Sequence, residues 1–376
     1  MGTCAFMNNK TTKSVFEPVS LNRPKEKTPI TPGLNICFEP KRPKLKKKTE
    51  YPREDFQVEG FFPSLSEEPF AEKLLTYKGN SKSKENFAHS NISISCRRGL
   101  KEGFNQDNFF LVSKTHLLIA GVFDGHGPYG HIVTSLARKL LPQYLISDSE
   151  IYNNPILSLE NSFRKTQEEI VQKCIKTGNN CFISGCSAAV ILIINSSLYT
   201  AHIGNCRVYL SKILQTNLIT VPLTKDHDFQ DSNENLRIRN FLSVSMPLAK
   251  SHLESKVFLE KTHRKNISVL ENLDKDYSSC PSSLIVTRAF GDLKNVEFGV
   301  ISEPFVSENI LFGNEVAVIL CTEGTWKYVK TTEISKIIKD HEIENSGNVL
   351  ANLAWSKWIE QCLDFVEDIT NIVISL

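Results

Sequence analysis

Apolar and polar residues are spread unevenly along this chain. Up to about residue 85, Pro, Lys, Ser and Thr dominate, and apolar residues are scattered without a period. Such a segment buries too little surface to offset the entropy of ordering it. A flexible basic tail is therefore expected over residues 1–85, and a globular domain over 86–376. Asn91-Ile92-Ser93-Ile94-Ser95 alternates as a half-buried strand does. Leu117 to Phe123 is an unbroken apolar run, which predicts a strand buried on both faces. Behind it, Ile132, Val133, Leu136, Leu140 and Leu141 recur at helical spacing, and Pro142 is expected to end or bend that helix. A second helix carries Ile156, Leu159, Phe163, Ile170 and Cys174 on one face. Strands follow at Ser187 to Ile194 and Leu198 to Leu210, turned by Asn195-Ser196-Ser197. Later strands are expected at Ser283 to Val286, Val316 to Cys321 and Asn371 to Leu376, with a helix from Ser346 to Cys362. Residues 244–282 are polar and irregular, which reads as an inserted loop or flap. Runs of strands, then helices, then strands give an α+β class.

Composition narrows the function classes. The chain has 376 residues, 40% hydrophobic and 23% charged, with a formal net charge of +2. No global field points to nucleic acid. The run Lys41-Arg42-Pro43-Lys44-Leu45-Lys46-Lys47-Lys48 reads either as a nuclear-localisation or polyanion-binding patch or as a solvated stretch of the tail. It lacks the interleaved aromatics of a nucleic-acid platform, so no specific nucleic-acid partner is expected. No apolar run is long enough to span a bilayer. Met1 to Lys10 has no apolar core of a signal peptide, and Phe6 breaks the myristoylation pattern. The ten cysteines are then expected reduced, in a monomeric cytoplasmic or nuclear protein with no membrane partner.

One stretch carries chemistry. In Ala120-Gly121-Val122-Phe123-Asp124-Gly125-His126-Gly127, an apolar strand ends on a carboxylate followed by two glycines around a histidine. Glycine allows a tight turn and close approach of backbone carbonyls to a ligand. Carboxylate and carbonyl oxygens suit Mg²⁺ or Mn²⁺. His126 is placed to donate a proton to a leaving oxygen. Alone, such a turn is equally an ordinary strand ending.

Further blocks follow in order. They are Asn105-Gln106-Asp107, Ser184-Gly185-Cys186-Ser187-Ala188, Ala201 to Arg207, Leu223-Thr224-Lys225-Asp226-His227, Glu234 with Arg237-Ile238, and Leu284 to Asp292. Glu303-Pro304, Cys321 to Lys327 and Glu367-Asp368-Ile369-Thr370 complete the series. Over roughly residues 88–376 the chain resembles the metal-dependent protein serine/threonine phosphatases of type 2C. The resemblance implies an α-β-β-α sandwich of two antiparallel sheets flanked by helices. It implies two Mg²⁺ or Mn²⁺ ions, with a metal-bound hydroxide attacking phosphorus. By the same resemblance the metal residues are Asp107, Asp124, Gly125 through its carbonyl, Glu323 and Glu367. His126 and Asp124 are the catalytic pair, and Arg98 or Lys101 is the candidate phosphate contact.

Four departures fall on the expected metal site. Glu323 and Glu367 stand where the family has Asp, and Asp368 is an extra acid beside Glu367. Asn205 and Lys327 replace two further acids, which makes a third metal unexpected. Lys327 is a candidate partner for Glu323. Mg²⁺ is particular about octahedral geometry, so displaced oxygens matter. The expected function is thus a weakly active or inactive type 2C-like domain, a pseudophosphatase that binds phosphoproteins in signalling. The alternative is an active Mg²⁺/Mn²⁺-dependent phosphoserine/phosphothreonine phosphatase.

Overall fold

A computed structural model describes residues 73–77, 91–114, 116–177, 181–194, 196–245 and 286–376. Two sheets form its centre. The first runs in the order β1 (Lys73–Tyr77), β2 (Ile92–Arg97), β12 (Ile369–Ser375), β11 (Glu315–Cys321), β7 (Arg207–Leu214), β8 (Asn217–Pro222). The second runs β10 (Phe305–Ile310), β6 (Ser197–Ile203), β5 (Gly185–Ile194), β4 (Leu117–His126), β3 (Asn108–Lys114). The two-residue β9 (Phe290–Gly291) pairs with the start of β5. Neighbouring strands pair antiparallel throughout.

Both faces of β4 are buried, which is why its sequence does not alternate. Leu118, Ala120 and Val122 pack between the sheets with Ile94, Ile191, Val208, Leu320 and Ile372. Leu117, Ile119 and Phe123 face outward, beneath α1 (Gly130–Ser147) and α2 (Pro155–Thr177). There Phe163 stacks on Phe290 with ring centroids 5.2 Å apart. On the far side, α6 (Thr331–Asp340) and α7 (Ile343–Cys362) cover the first sheet through Ile334, Leu350 and Trp358. The layers are therefore helix, sheet, sheet, helix, as the resemblance implied. Shorter helices are α3 (Ser232–Ser245), α4 (Leu293–Val296) and α5 (Glu323–Trp326). No helix among the described residues is long and apolar enough to cross a membrane.

Several expectations need correction. The strand expected from Leu198 to Leu210 is two strands, β6 and β7, in different sheets. Gly204, at φ +73°, turns the chain between them. Pro142 does not end α1, which runs on to Ser147. Leu141 and Leu145 are both fully buried and hold the last turn in place despite the lost backbone donor. Ile156 is exposed at the start of α2, while Leu159, Phe163, Ile170 and Cys174 are buried as its face predicts. Within the segment expected to be a tail, β1 pairs with β2. The rest of that segment, including the basic run at 41–48, lies outside the described residues. The insertion expected at about 244–282 also lies outside them, apart from its first two residues, which close α3. Of Ser283 to Val286 only Val286 is described, and it is in no strand.

Candidate functional site

Strand ends at one edge of the sandwich bring the acids together. Asp107 immediately precedes β3, Asp124 lies near the end of β4, and Glu323 opens α5 directly after β11. Glu367 and Asp368 immediately precede β12. Hydrogen bonds tie these ends together. The Thr322 hydroxyl donates to Asp107 Oδ2 at 2.7 Å, and the Glu323 N–H donates to Asp124 Oδ2 at 3.0 Å. α5 is pinned to the β6–β7 turn by Trp326 Nε1, which donates to the Asn205 carbonyl at 3.0 Å.

Crowded acids in a buried place are hard to ionise. Burial pushes the Asp107 carboxyl well above its ordinary range, and the charges of Asp124 and Asp368 add to the effect. Burial likewise raises Asp124 to about 7, with Glu323 and Glu367 repelling its charge and the Glu323 N–H working the other way.

Two lysines meet these acids. Lys101 Nζ lies 2.6 Å from Glu367 Oε2 and 3.0 Å from Asp368 Oδ2. Burial disfavours its charge, but Asp368 and then Glu367 outweigh that and hold the ammonium above its ordinary pKa. Lys327, one turn after Glu323, pairs with Glu323 Oε1. The other oxygen of Glu323 accepts Asn205 Nδ2 at 2.7 Å, and Asn205 Oδ1 accepts the Ser187 hydroxyl at 2.9 Å.

The remaining expected residues divide. His126 Nε2 lies 3.5 Å from Asp292 Oδ2, and Asp292 is buried and held by Asn295 Nδ2 at 2.8 Å. Asp292 is thus the acid that the imidazole faces, a pairing that sequence gave no reason to assign. Gly125 is packed so closely that a Cβ would sit 2.7 Å from the Gln106 carbonyl. Arg98 turns its guanidinium onto the Lys101 carbonyl. Of the adjacent acids Glu367 and Asp368, the deeply buried one is Asp368. Its oxygens accept the N–H groups of Gly99 and Gln106, each at 2.8 Å. Only its position beside Glu367 hinted at this in the sequence.

The resemblance implies divalent metal here, and the donor chemistry is right: hard oxygens at the ends of strands. Asp107 Oδ1 is buried without a hydrogen-bond partner, the kind of atom a cation satisfies. The other acids are engaged. Lys101 holds Glu367 and Asp368, while Lys327 and Asn205 hold Glu323. Among the described residues, no group of three or more His, Cys, Asp or Glu side chains is disposed to hold a metal ion. As arranged, these residues do not fit a pair of divalent ions.

Fold and acid cluster together define a type 2C phosphatase domain. The model of the family "Protein phosphatase 2C" matches residues 90–363, and the chain belongs to this family. Probable protein phosphatase 2C 1 of Arabidopsis thaliana is 29% identical over 294 residues, covering 69% of this chain and 58% of the relative. Probable protein phosphatase 2C 52 of the same plant is 25% identical over 299 residues, covering 69% and 59%. The chain thus spans about three-fifths of the length of these relatives. Among solved structures, serine-threonine phosphatase 2C from Toxoplasma gondii superposes with a TM-score of 0.64 at 17% identity, covering 81% of this chain and 99% of that one. The Mycobacterium tuberculosis serine/threonine phosphatase PstP/Ppp gives 0.51 at 20% identity, covering 76% and 98%. At such identities these structures speak for the fold alone.

Proposed function

We propose that this domain is directed at phosphoserine and phosphothreonine in proteins, and that its hydrolytic step is suppressed in the arrangement described above. It then acts in signalling chiefly by binding phosphoproteins. The observation that carries this reading is the engagement of both Glu323 oxygens, one by Lys327 and one by Asn205. A carboxylate whose oxygens are both paired has little left for a metal, and metal-ligand geometry is exacting. Surfaces for a peptide adjoin the acids. An open cleft is lined by Arg207, Lys225, Trp326, Lys327 and Lys330 together with Asp226, Asp228 and Asp231. Phe104, Tyr129, Phe182 and Ile183 expose apolar surface near the Gly125–Gly127 turn.

The comparisons favour a second reading, an active Mg²⁺/Mn²⁺-dependent serine/threonine phosphatase. The relatives bear the name of probable protein phosphatases, and Asp124-Gly125-His126 is intact. On family grounds alone this reading is the better supported of the two. Phosphate release from a phosphothreonine peptide in Mn²⁺ separates them. Suppression predicts turnover ~10–100-fold below that of an active relative, the scale of a disturbed metal shell. It also predicts partial recovery when Glu323→Asp and Glu367→Asp are combined. Robust wild-type turnover that Asp124→Ala abolishes overturns suppression and establishes the second reading.

A further inference from the structure

Five carboxylates at one end of a sandwich need a positive charge, and the chain carries one of its own. Lys101 projects between Glu367 and Asp368, at 2.6 and 3.0 Å, and its side chain is 19% exposed. Asp107, whose Oδ1 has no hydrogen-bond partner, is close enough for its charge to act on Lys101. The lysine is not a loose surface arm. The loop that bears it is clasped to the residues before β12 at Gly99, Leu100 and Gln106. Gly99 N–H and Gln106 N–H both donate to Asp368, and Val366 N–H donates to the Leu100 carbonyl at 3.3 Å. Arg98 donates to the carbonyl of Lys101 itself. At Gly99 a Cβ would lie 2.0 Å from the Val366 carbonyl oxygen, so only glycine lets the two segments touch. A loop built this closely around Asp368 delivers the ammonium to one place.

We infer that the Lys101 ammonium is a resident cation of this site. It occupies, by covalent attachment, the position at Glu367 and Asp368 that a divalent ion would need. A tethered ammonium has no dissociation constant and is not removed by chelators. The domain's stability is therefore insensitive to both metal and EDTA. This inference deepens the suppressed-hydrolysis reading and rests on it.

The test uses the full chain and Mn²⁺ alone, read by titration calorimetry and by thermal unfolding with Mn²⁺ or EDTA. Wild type is expected to show no Mn²⁺-dependent shift. Lys101→Met, which keeps the aliphatic stem without the charge, is expected to bind Mn²⁺ at least ~10-fold more tightly than wild type, the lower end of effects seen around metal shells. Lys101→Arg keeps the cation and is expected to behave as wild type. Equal Mn²⁺ affinity in wild type and Lys101→Met overturns the inference, as does Lys101→Arg binding like Lys101→Met. If Lys101→Met fails to fold, reductive methylation of the native wild type decides. Lys101 is expected to be labelled at least ~10-fold more slowly than the exposed Lys139, since its nitrogen is enclosed by two carboxylates and its side chain is 19% exposed. Equal labelling overturns the inference. No readout here involves a phosphopeptide. Phosphopeptide affinity in EDTA, measured separately, fails or succeeds independently.

Discussion

At Asn205 an amide does what a carboxylate cannot: it donates to Glu323 and accepts from Ser187 in the same buried place. Replacing it with the family's acid is therefore not a neutral repair. Asn205→Asp removes a donor from Glu323 and sets a second negative charge against it. The expected cost in metal-free buffer is about 1–3 kcal/mol, the range for leaving a buried polar group unsatisfied, measured as a shift in the urea midpoint. Saturating Mn²⁺ should recover part of that loss only in the variant. Recovery of the same size in wild type would contradict the assignment. Residues of this kind also mark how far sequence reached. Asp107, Asp124, Glu323 and Glu367 were legible because ordered motifs name them, and Lys327 because it stands in the same motif as Glu323 where the family has an acid. Asp292 as the partner of His126 was not legible, because 166 positions separate them and the β4–β5 and β5–β9 pairings together close the gap. Nor was Lys101's attachment to Asp368, which depends on hydrogen bonds across 262 and 269 positions of sequence.

Elements position these residues, and the turn between β6 and β7 does most for the site. Gly204 sits at φ +73°, and a Cβ there would come within 2.1 Å of Ser187 Oγ. Gly204→Ala should destabilise the fold by at least ~1–3 kcal/mol from the left-handed backbone alone, read by urea denaturation. It should also loosen the Ser187–Asn205–Glu323 chain. That β4 and β5 are buried was legible from their unbroken apolar runs, whereas the two-sheet architecture came from the family resemblance and not from the pattern. The split of β6 from β7 was not, because apolar residues continue on both sides of a turn marked by one glycine. Beyond that turn, His202 stacks on His227 with centroids 4.3 Å apart, and Nδ1 of each ring lacks a partner. Burial lowers both pKa values, His227 to about 2. Arg288 pushes further in that direction, while Glu234 and Asp231 oppose it at His227 and Asp226 opposes it at His202. In the unfolded chain these rings protonate near 6.5. Between the two values the unfolded state binds more protons, so stability rises with pH through that window and is lost on acidification below about 6.5. His227→Gln should flatten the dependence of the urea midpoint on pH between about 6.5 and 4. An unchanged slope would remove this pair from the acid response.

For the whole molecule, the question is how a sandwich that gathers Asp107, Asp124, Glu323, Glu367 and Asp368 at one end balances their charge. The protein phosphatase 2C family, to which the chain belongs, generally uses divalent metal ions. The arrangement of this chain gives the work to Lys101 and Lys327. On the reading proposed above, a domain balanced in this way keeps the family's fold while its acids are held by lysines instead of divalent ions. The most direct measurement is a crystal of the full chain grown with Mn²⁺, with data collected at the manganese absorption edge. The account predicts no anomalous peak among Asp107, Asp124, Glu323 and Glu367, with Lys101 Nζ still within hydrogen-bond distance of Glu367 and Asp368. Two manganese peaks bridged by Asp124, with Lys101 and Lys327 swung away from the acids, would contradict it.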